Sequence, residues 1–129
     1  MKVFIVNQNP NSIYDDVEGE RYQYPKKIPC GRQIDIGDFL VFNVSKKAAI
    51  KLGLANKRIT GIARISEIID YKQNEKEMGF AVYEWYKKFP TPLTFDQIGG
   101  DYRTNINNSM NKVDEDKKFL LISSLLKYL

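Results

Sequence analysis

The sequence predicts one α+β domain built on a small mixed β-barrel, which short helices flank and a C-terminal helix closes. Short apolar segments with strand-like alternation recur along the chain and are separated by turns rich in glycine, proline and asparagine. Residues 115–128 instead carry apolar side chains at helical spacing. The order of these segments favours a largely antiparallel sheet that is curled into a barrel.

Composition and charge are those of an ordinary globular domain spanning 1–129, which we expect to be cytoplasmic. The chain has 129 residues and a net charge of +4, without a basic tail, which favours a nucleic-acid partner only weakly. The single cysteine excludes an internal disulfide, and the lack of histidine excludes Ser-His, Cys-His and His-metal sites. No apolar run approaches the roughly 20 residues of a membrane span, so we expect no membrane partner. The N-terminus also lacks the apolar segment of a secretory signal.

The first part of the chain is predicted to hold two strands joined by a long loop. An apolar run at residues 1–6 predicts a central strand. Residues 11–37 are polar and aromatic and are interrupted by glycines and prolines, which is typical of a functional loop. A turn at Gly37 and Asp38 then leads into the apolar strand 39–44.

A short helix and a long strand are predicted next. Ser45 is a suitable N-cap for a helix of about two turns that ends near Gly53. Residues 58–71 follow as a strand, with apolar side chains at alternate positions expected on one face. These residues are Ile59, Gly61, Ala63, Ile65 and Ile69. Gly61 in this strand indicates a bulge or a close backbone approach.

A hairpin and a closing helix complete the predicted fold. The charged residues 72–79 are predicted to be a hairpin loop, and 80–89 the returning strand. Residues 90–100 are expected to hold a turn, a short strand and a flexible Gly-Gly pair. Asp114 is expected to cap the helix 115–128, whose apolar side chains are predicted to lie mostly on one side. They are Phe119, Leu120, Ile122, Leu125, Leu126 and Leu129.

Two groups of aromatic residues are candidates for binding a flat ligand. The loop 11–37 carries Tyr14, Tyr22 and Tyr24 beside basic residues, and nucleobases are the commonest flat ligands of a basic intracellular domain. The rings could instead pack on the sheet and anchor the loop through their hydroxyls. In the strand 80–89, alternation places Tyr83 and Trp85 on one face as a stacking pair and Tyr86 on the other. Core packing is the competing interpretation for Trp85.

Two groups of polar residues are candidates for contacts with nucleic acid. Arg103 and Asn105 follow the Gly-Gly pair, and amide side chains can form two hydrogen bonds with a base edge. A turn-rich helix cap is the alternative for the asparagines. Basic residues around the short helix could contact phosphates, although a solvated helix face has the same pattern. They are Lys46, Lys47, Lys51, Lys57 and Arg58.

Catalytic residues, metal ligands and cofactor motifs are not predicted. Acidic side chains at Asp15, Asp16, Glu18 and Glu20 could hold a divalent metal, but no Asp/Glu-x-Lys nuclease core accompanies them. The chain has no P-loop, no GxGxxG and no nucleophile elbow. We therefore expect no catalytic residue, no metal and no cofactor, and a small metal-dependent enzyme is the least favoured alternative.

Three short motifs, in this order, resemble the EVE-like branch of the PUA/YTH/EVE superfamily. They are Tyr-Asp-Asp-x-x-Gly-x-x-Tyr-x-Tyr-Pro at 14–25, Gly-Asp-x-Leu-Val-Phe at 37–42 and Gly-Ile-Ala-Arg-Ile at 61–65. Asn108-Ser109-Met110, followed by a helix with Phe119, is similar to the end of the family's domain. The similarity covers about residues 1–126.

The resemblance implies a PUA-like barrel that holds one base in an aromatic pocket. This branch includes N-terminal domains of McrB-type and some HNH-type restriction proteins. Family members read methylated adenine or modified cytosine, either flipped from duplex DNA or in single-stranded RNA. By this resemblance the chain is a non-catalytic domain that binds DNA with a flipped modified base, and its partner is a C-terminal motor or nuclease domain or subunit. An RNA-binding PUA-like module is the alternative. Asn43-Val44-Ser45 replaces the Tyr-His-Ser of free-standing EVE domains, so the base is left open.

Overall fold

The computed structural model describes residues 1–8 and 17–129, and this part of the chain is mostly β. It contains six strands, two short α-helices and a 3₁₀ turn at Asp96–Ile98. None of these helices is long and apolar enough to cross a membrane. In chain order the elements are β1 Val3–Gln8, β2 Arg21–Pro25, β3 Phe39–Val44, α1 Lys46–Lys51, β4 Ile59–Gln73, β5 Lys76–Leu93, β6 Met110–Lys112 and α2 Lys118–Leu126.

The strands form one mixed sheet with the order β2-β5-β4-β3-β1-β6. Strands β1 and β3 are parallel and every other neighbouring pair is antiparallel, as predicted. The sheet curls into a half-barrel, which agrees with the expected α+β class. Strands β2 and β6 are its edges and do not pair with each other within the described residues, so the expected closure of the barrel is not observed there.

Irregular pairing between β4 and β5 curls the sheet. The register shifts between Ile59 and Gly61, again after Arg64, and again after Ile65. Each such bulge adds local bend and twist to a long strand. The hairpin itself closes in a two-residue turn, because Asn74 and Glu75 both have positive φ. The prediction of a loop at 72–79 is therefore wrong, because β4 continues to Gln73 and β5 begins at Lys76, directly on either side of the turn.

The sheet has an apolar core on each face. One core contains Val3, Ile5, Val41, Ile59, Ile62, Phe89, Leu93, Ile98, Val113, Leu121 and Leu125. The other contains Phe4, Val6, Tyr22, Tyr24, Ile34, Leu40, Phe42, Ala63, Ile65, Ala81 and Met110. Strands β1 and β3 contribute to both cores, which explains why their sequences are continuously apolar instead of alternating.

Several local predictions are confirmed. Strand β3 has the predicted bounds, and the Ser45 side chain accepts a hydrogen bond from the backbone N–H of Ala48 at 3.1 Å. Gly61 lies at a register shift, and a Cβ on this residue would be 2.9 Å from the carbonyl oxygen of Lys87. The predicted common face of β4 is wrong, because this shift places Ile59 in one core and Ile65 in the other.

The predictions for irregular segments and for the closing helix need correction. The loop 11–37 contains β2, the turn-rich segment after Asn105 contains β6, and no separate short strand lies within 90–100 because β5 extends to Leu93. Helix α2 starts at Lys118, and no side chain caps its N-terminus. Its buried residues are Leu121 and Leu125, one turn apart. The side chains of Phe119, Leu120 and Leu126 are exposed, so the predicted apolar side is wrong.

Candidate functional site

Four cationic side chains line a groove at the ends of β1 and β3. Its volume is about 540 Å³. We call it the basic groove; it is lined by Asn7, Gln8, Ser45, Lys46, Lys47, Arg58, Arg103, Ile106, Asn107, Asn108 and Ser109. No acidic residue is among these lining residues. Four residues predicted to contact nucleic acid therefore lie together: Lys46, Lys47, Arg58 and Arg103.

The parallel pairing of β1 with β3 builds the floor of the groove. Asn7 and Asn43 are register partners at the carboxyl ends of these strands. The Asn43 amide donates to the Asn7 side-chain oxygen at 2.6 Å, and the Asn7 amide donates to the carbonyl oxygen of Asn108 at 2.7 Å. The chain leaves β3 through Ser45 directly into α1, which brings Lys46 and Lys47 to the rim.

Arg103 is held in a fixed orientation beside this floor. Its Nε and one terminal nitrogen donate to the two carboxylate oxygens of Asp101, at 2.9 and 2.7 Å. The other terminal nitrogen donates to the side-chain oxygen of Asn7 at 3.3 Å. The guanidinium also lies over the Phe95 ring, 5.2 Å from its centroid. Only 6% of the side chain is exposed. The guanidinium of Arg103 is therefore held in one position by its contacts, unlike the charge of a mobile surface side chain.

Arg58 packs against the same aromatic ring. Its guanidinium lies 5.0 Å from the Phe95 centroid, and its Nε donates to the carbonyl oxygen of Val44 at 2.9 Å. Burial lowers the pKa of Arg58, and the nearby charge of Arg103 lowers it further, while Asp101 acts in the opposite direction. Two arginines thus share one ring and raise the local positive potential.

Asp101 offsets part of this positive charge. Burial raises the pKa of its carboxyl, but the hydrogen bonds and charge of Arg103, together with the charge of Arg58, outweigh burial and hold the pKa below its ordinary value. Asp101 therefore stays ionised at neutral pH. Among the described residues, Lys46, Lys47 and Arg58 have no carboxylate partner within ion-pair distance.

Asn105 takes part in a hydrogen-bonded turn and is not among the residues that line the groove. Its backbone N–H donates to the side-chain oxygen of the buried Asn111 at 2.8 Å, and its own side-chain oxygen accepts from the backbone N–H of Asn107 at 3.0 Å. These bonds make an Asx-type turn. The alternative of a turn-rich helix cap is confirmed only for the turn, because a strand follows at Met110–Lys112 and not a helix. Lys51 and Lys57 are exposed but do not line the groove.

The expected aromatic wall in the loop 11–37 is not present in the described residues. Tyr22 and Tyr24 lie on β2, are 5% and 0% exposed, and stack on each other with centroids 5.7 Å apart. Both rings belong to the core, because strand pairing with β5 turns them onto the sheet. Tyr14, together with Asp15 and Asp16 of the acidic group, lies outside the described residues.

The prediction that Tyr83 and Trp85 form a stacking pair on one face is wrong. The register shift after Arg64 leaves Glu84 as an extra residue in β5, so the alternation of side chains is interrupted. Trp85 packs against Phe39 in one core, and Tyr83 packs against the other.

Tyr83 instead stacks with Tyr86, with centroids 5.9 Å apart. The Tyr86 hydroxyl donates to a carboxylate oxygen of Glu18 at 3.4 Å. Burial, then the charge and hydrogen bond of Glu18, raise the pKa of Tyr86 to about 12. Glu18 also pairs with Lys88 at 3.3 Å, so it is a partner in surface contacts. No group of three or more His, Cys, Asp or Glu residues that could hold a metal occurs among the described residues.

A second cavity of about 430 Å³ lies along the β4–β5 hairpin. We call it the hairpin cleft; it is lined by Lys26, Arg32, Asp70, Tyr71, Lys72, Glu77 and Met78. Here cations and carboxylates are paired: Lys26 with Asp70, and Arg32 with Glu77. Lys72 also faces Glu77 across the two strands.

Sequence reasoning missed Asn7 and Ile106, which line the groove, and Phe95, whose ring contacts two of its arginines. Asn7 is polar directly after a continuously apolar strand, which is a signal for a strand end where polar groups gather. Phe95 and Ile106 carry no comparable signal, because a single apolar residue in a turn-rich segment is usually packed. Comparison of the chain with protein-family models, curated proteins and solved structures found no significant match.

Proposed function

We propose that this chain is a non-catalytic, PUA-like recognition domain that binds nucleic acid through the basic groove. The observation that carries the proposal is the convergence of Lys46, Lys47, Arg58 and Arg103 on one cavity with no acidic lining residue among those described. Clustered cations beside hydrogen-bonding amides are what a nucleic-acid strand requires, since phosphates need charge and bases need donors and acceptors.

The rim and the floor of the groove suit different parts of a nucleotide. Lys46 and Lys47 are exposed on the rim, where each ammonium can meet a phosphate as a point charge. Beside the floor, Arg58 and Arg103 are held against Phe95. Guanidinium planes held in this way stack on bases. The backbone would therefore follow the rim, and one base would enter toward the arginines.

DNA with a modified base is the target class that we propose, and this part rests on the resemblance to the EVE-like branch. Methylated adenine and modified cytosine are the candidate bases. A motor or nuclease, as a further domain or as a subunit, would supply the chemistry. Tyr22 and Tyr24, which were expected to form the pocket, lie in the core. In the proposal, the basic groove with Arg58 and Arg103, which contact the Phe95 ring, takes their place.

A panel of matched oligonucleotides tests the proposal. The probes are a short duplex without modification, the same duplex with one N6-methyladenine or one 5-methylcytosine, and a single-stranded RNA of the same sequence. We expect a methylated duplex to bind more tightly than the other probes. Tighter binding of the RNA would establish the RNA-binding alternative, and no binding to any probe would contradict the proposed function.

Two double variants with the same change in net charge locate the binding site. Lys46→Glu with Lys47→Glu reverses the rim of the basic groove, and Lys72→Glu with Lys76→Glu reverses two exposed lysines near the hairpin turn. We expect the first pair to lower affinity by at least about tenfold and the second by less than about twofold, because phosphate contacts act locally. Equal losses of affinity in the two double variants would mean that binding depends only on the net charge of the protein and not on the basic groove.

A further inference from the structure

Ile106 is an apolar side chain that points into solvent from the wall of the basic groove. It is 62% exposed and lines the same cavity as Arg58 and Arg103. Its neighbours in the chain, Asn105 and Asn107, are also exposed. The Ile106 side chain belongs to neither core. Single exposed apolar residues are common on protein surfaces, but this one lines a cavity together with four cationic side chains, which makes it a candidate for contact with nucleic acid.

The turn that carries Ile106 is fixed by hydrogen bonds. The buried Asn111 accepts from the backbone N–H of Asn105 at 2.8 Å and from the hydroxyl of Thr104 at 3.2 Å. Its amide donates to the carbonyl oxygen of Asn108 at 3.3 Å, and the backbone N–H of Asn108 donates to the carbonyl of Asn105 at 3.1 Å. These contacts hold the tip of the turn away from the core and present the side chain at its apex.

We propose that Ile106 is a wedge that enters the base stack of duplex DNA next to the nucleotide held in the basic groove. Rigid apolar side chains inserted between base steps unstack them, and cationic neighbours supply the attraction that offsets the unstacking. Arg103, Lys46 and Lys47 line the same cavity and can supply this attraction. The inference rests on the proposed function, and it explains how the domain would separate one base from a duplex.

The wedge requires that Ile106 matters for a duplex and not for a single strand, since a single strand has little stacking to interrupt. It also requires that the exposed amide of Asn107 and the cations of the groove contact the displaced strand. A side chain that made only a general contact would affect both kinds of probe equally.

The experiment uses the full chain and the fluorescence of 2-aminopurine. The probes are the methylated duplex and its single strand, each with 2-aminopurine beside the methylated base. The variants are Ile106→Ala, Ile106→Leu and, as a matched control, Ile36→Ala, because Ile36 is 64% exposed and lies outside the basic groove. Thermal unfolding checks that all three remain as stable as wild type.

Wild type should increase the fluorescence of the duplex probe, because unstacking relieves quenching. Ile106→Ala should lose this increase and bind the duplex about five- to fiftyfold more weakly, while its single-strand affinity changes less than about twofold. Ile106→Leu and Ile36→Ala should behave as wild type. Ile106→Ala with wild-type fluorescence and duplex affinity would overturn the wedge, as would equal losses on both probes. If wild type binds neither probe, the proposed function itself is wrong and the wedge with it.

Discussion

The basic groove and the hairpin cleft are similar in volume, but they differ in whether their cationic side chains are paired with carboxylates. In the hairpin cleft, Lys26 and Arg32 each contact a carboxylate, so the cavity offers little net attraction to an anion. In the basic groove, Asp101 contacts Arg103, and three further cations have no carboxylate partner among the described residues. We assign the matched charges to the fold and propose a nucleic-acid partner for the unmatched ones.

The largest expected effect concerns Tyr24, which packs beside the hairpin cleft. It is 0% exposed, and its ring is so close to Gly79 that a Cβ there would lie 2.7 Å from it. Tyr24→Ala should lower the free energy of unfolding by about 3–5 kcal/mol, as for other buried aromatic truncations.

Chemical denaturation measures this loss, with Tyr24→Phe as a control that removes only the hydroxyl. The folded fraction of Tyr24→Ala should still bind nucleic acid. Weaker binding with unchanged stability would instead return Tyr24 to the binding site.

Arg103 is the residue whose loss should weaken binding most. Arg103→Ala removes a charged donor beside the floor of the groove and leaves Asp101 as an uncompensated anion, so affinity should fall about ten- to hundredfold. The loss should be larger on the methylated duplex than on the unmodified one. Titration of both probes measures it.

Arg32→Ala is the matched control for this variant, because it removes an arginine from an ion pair in the hairpin cleft. It should leave affinity within about twofold of wild type. Equal losses on both duplexes for Arg103→Ala would place Arg103 on the phosphate backbone and remove it from base recognition.

Lys47 should contribute through salt-dependent contacts alone. If it neutralises one phosphate, Lys47→Ala should reduce the slope of log K against log salt by about 0.9 for duplex DNA. The loss in affinity should be the same for methylated and unmodified probes. Titrations at several salt concentrations measure the slope, and Lys72→Ala in the hairpin cleft should leave it unchanged. A loss confined to the methylated probe would contradict this role.

Substitution of Asp101 should change affinity least among these variants, and it should tighten binding instead of weakening it. Asp101→Asn leaves the charge of Arg103 less compensated, so binding should tighten about two- to threefold. Because the folded-state pKa of Asp101 is lowered, its ion pair stabilises the fold above about pH 3.9, and this contribution is lost as pH falls through the folded-state value. The difference in Tm between wild type and Asp101→Asn should shrink over that acid range. Weaker binding by Asp101→Asn would mean that Asp101 mainly orients Arg103.

The sequence predicts those parts of the fold and of the site that depend on residues close to one another in the chain. Strand β3 follows from one apolar run, and α1 follows from a serine before helix-forming residues. Lys46 and Lys47 reach the groove because the chain passes from β3 directly into that helix. The arginines were identified as candidates by charge, although their shared contact with Phe95 depends on tertiary structure.

The remaining features depend on pairing between distant strands. Tyr22 and Tyr24 alternate around Gln23 as in a strand, but Gly19 and Pro25 obscure the signal in the sequence. Whether such rings face solvent or the core is decided by pairing with β5. The extra residue at Glu84 separates Tyr83 from Trp85, and no local pattern marks such a bulge.

Mapping of backbone amide chemical shifts during titration with the methylated duplex tests the central claim most directly. The shifts should concentrate on the basic groove, at Asn7, Lys47, Arg58, Arg103 and Asn108, while residues of the hairpin cleft stay unchanged. Shifts centred on Arg32, Asp70 and Glu77, or shifts spread evenly over all exposed lysines, would contradict the account.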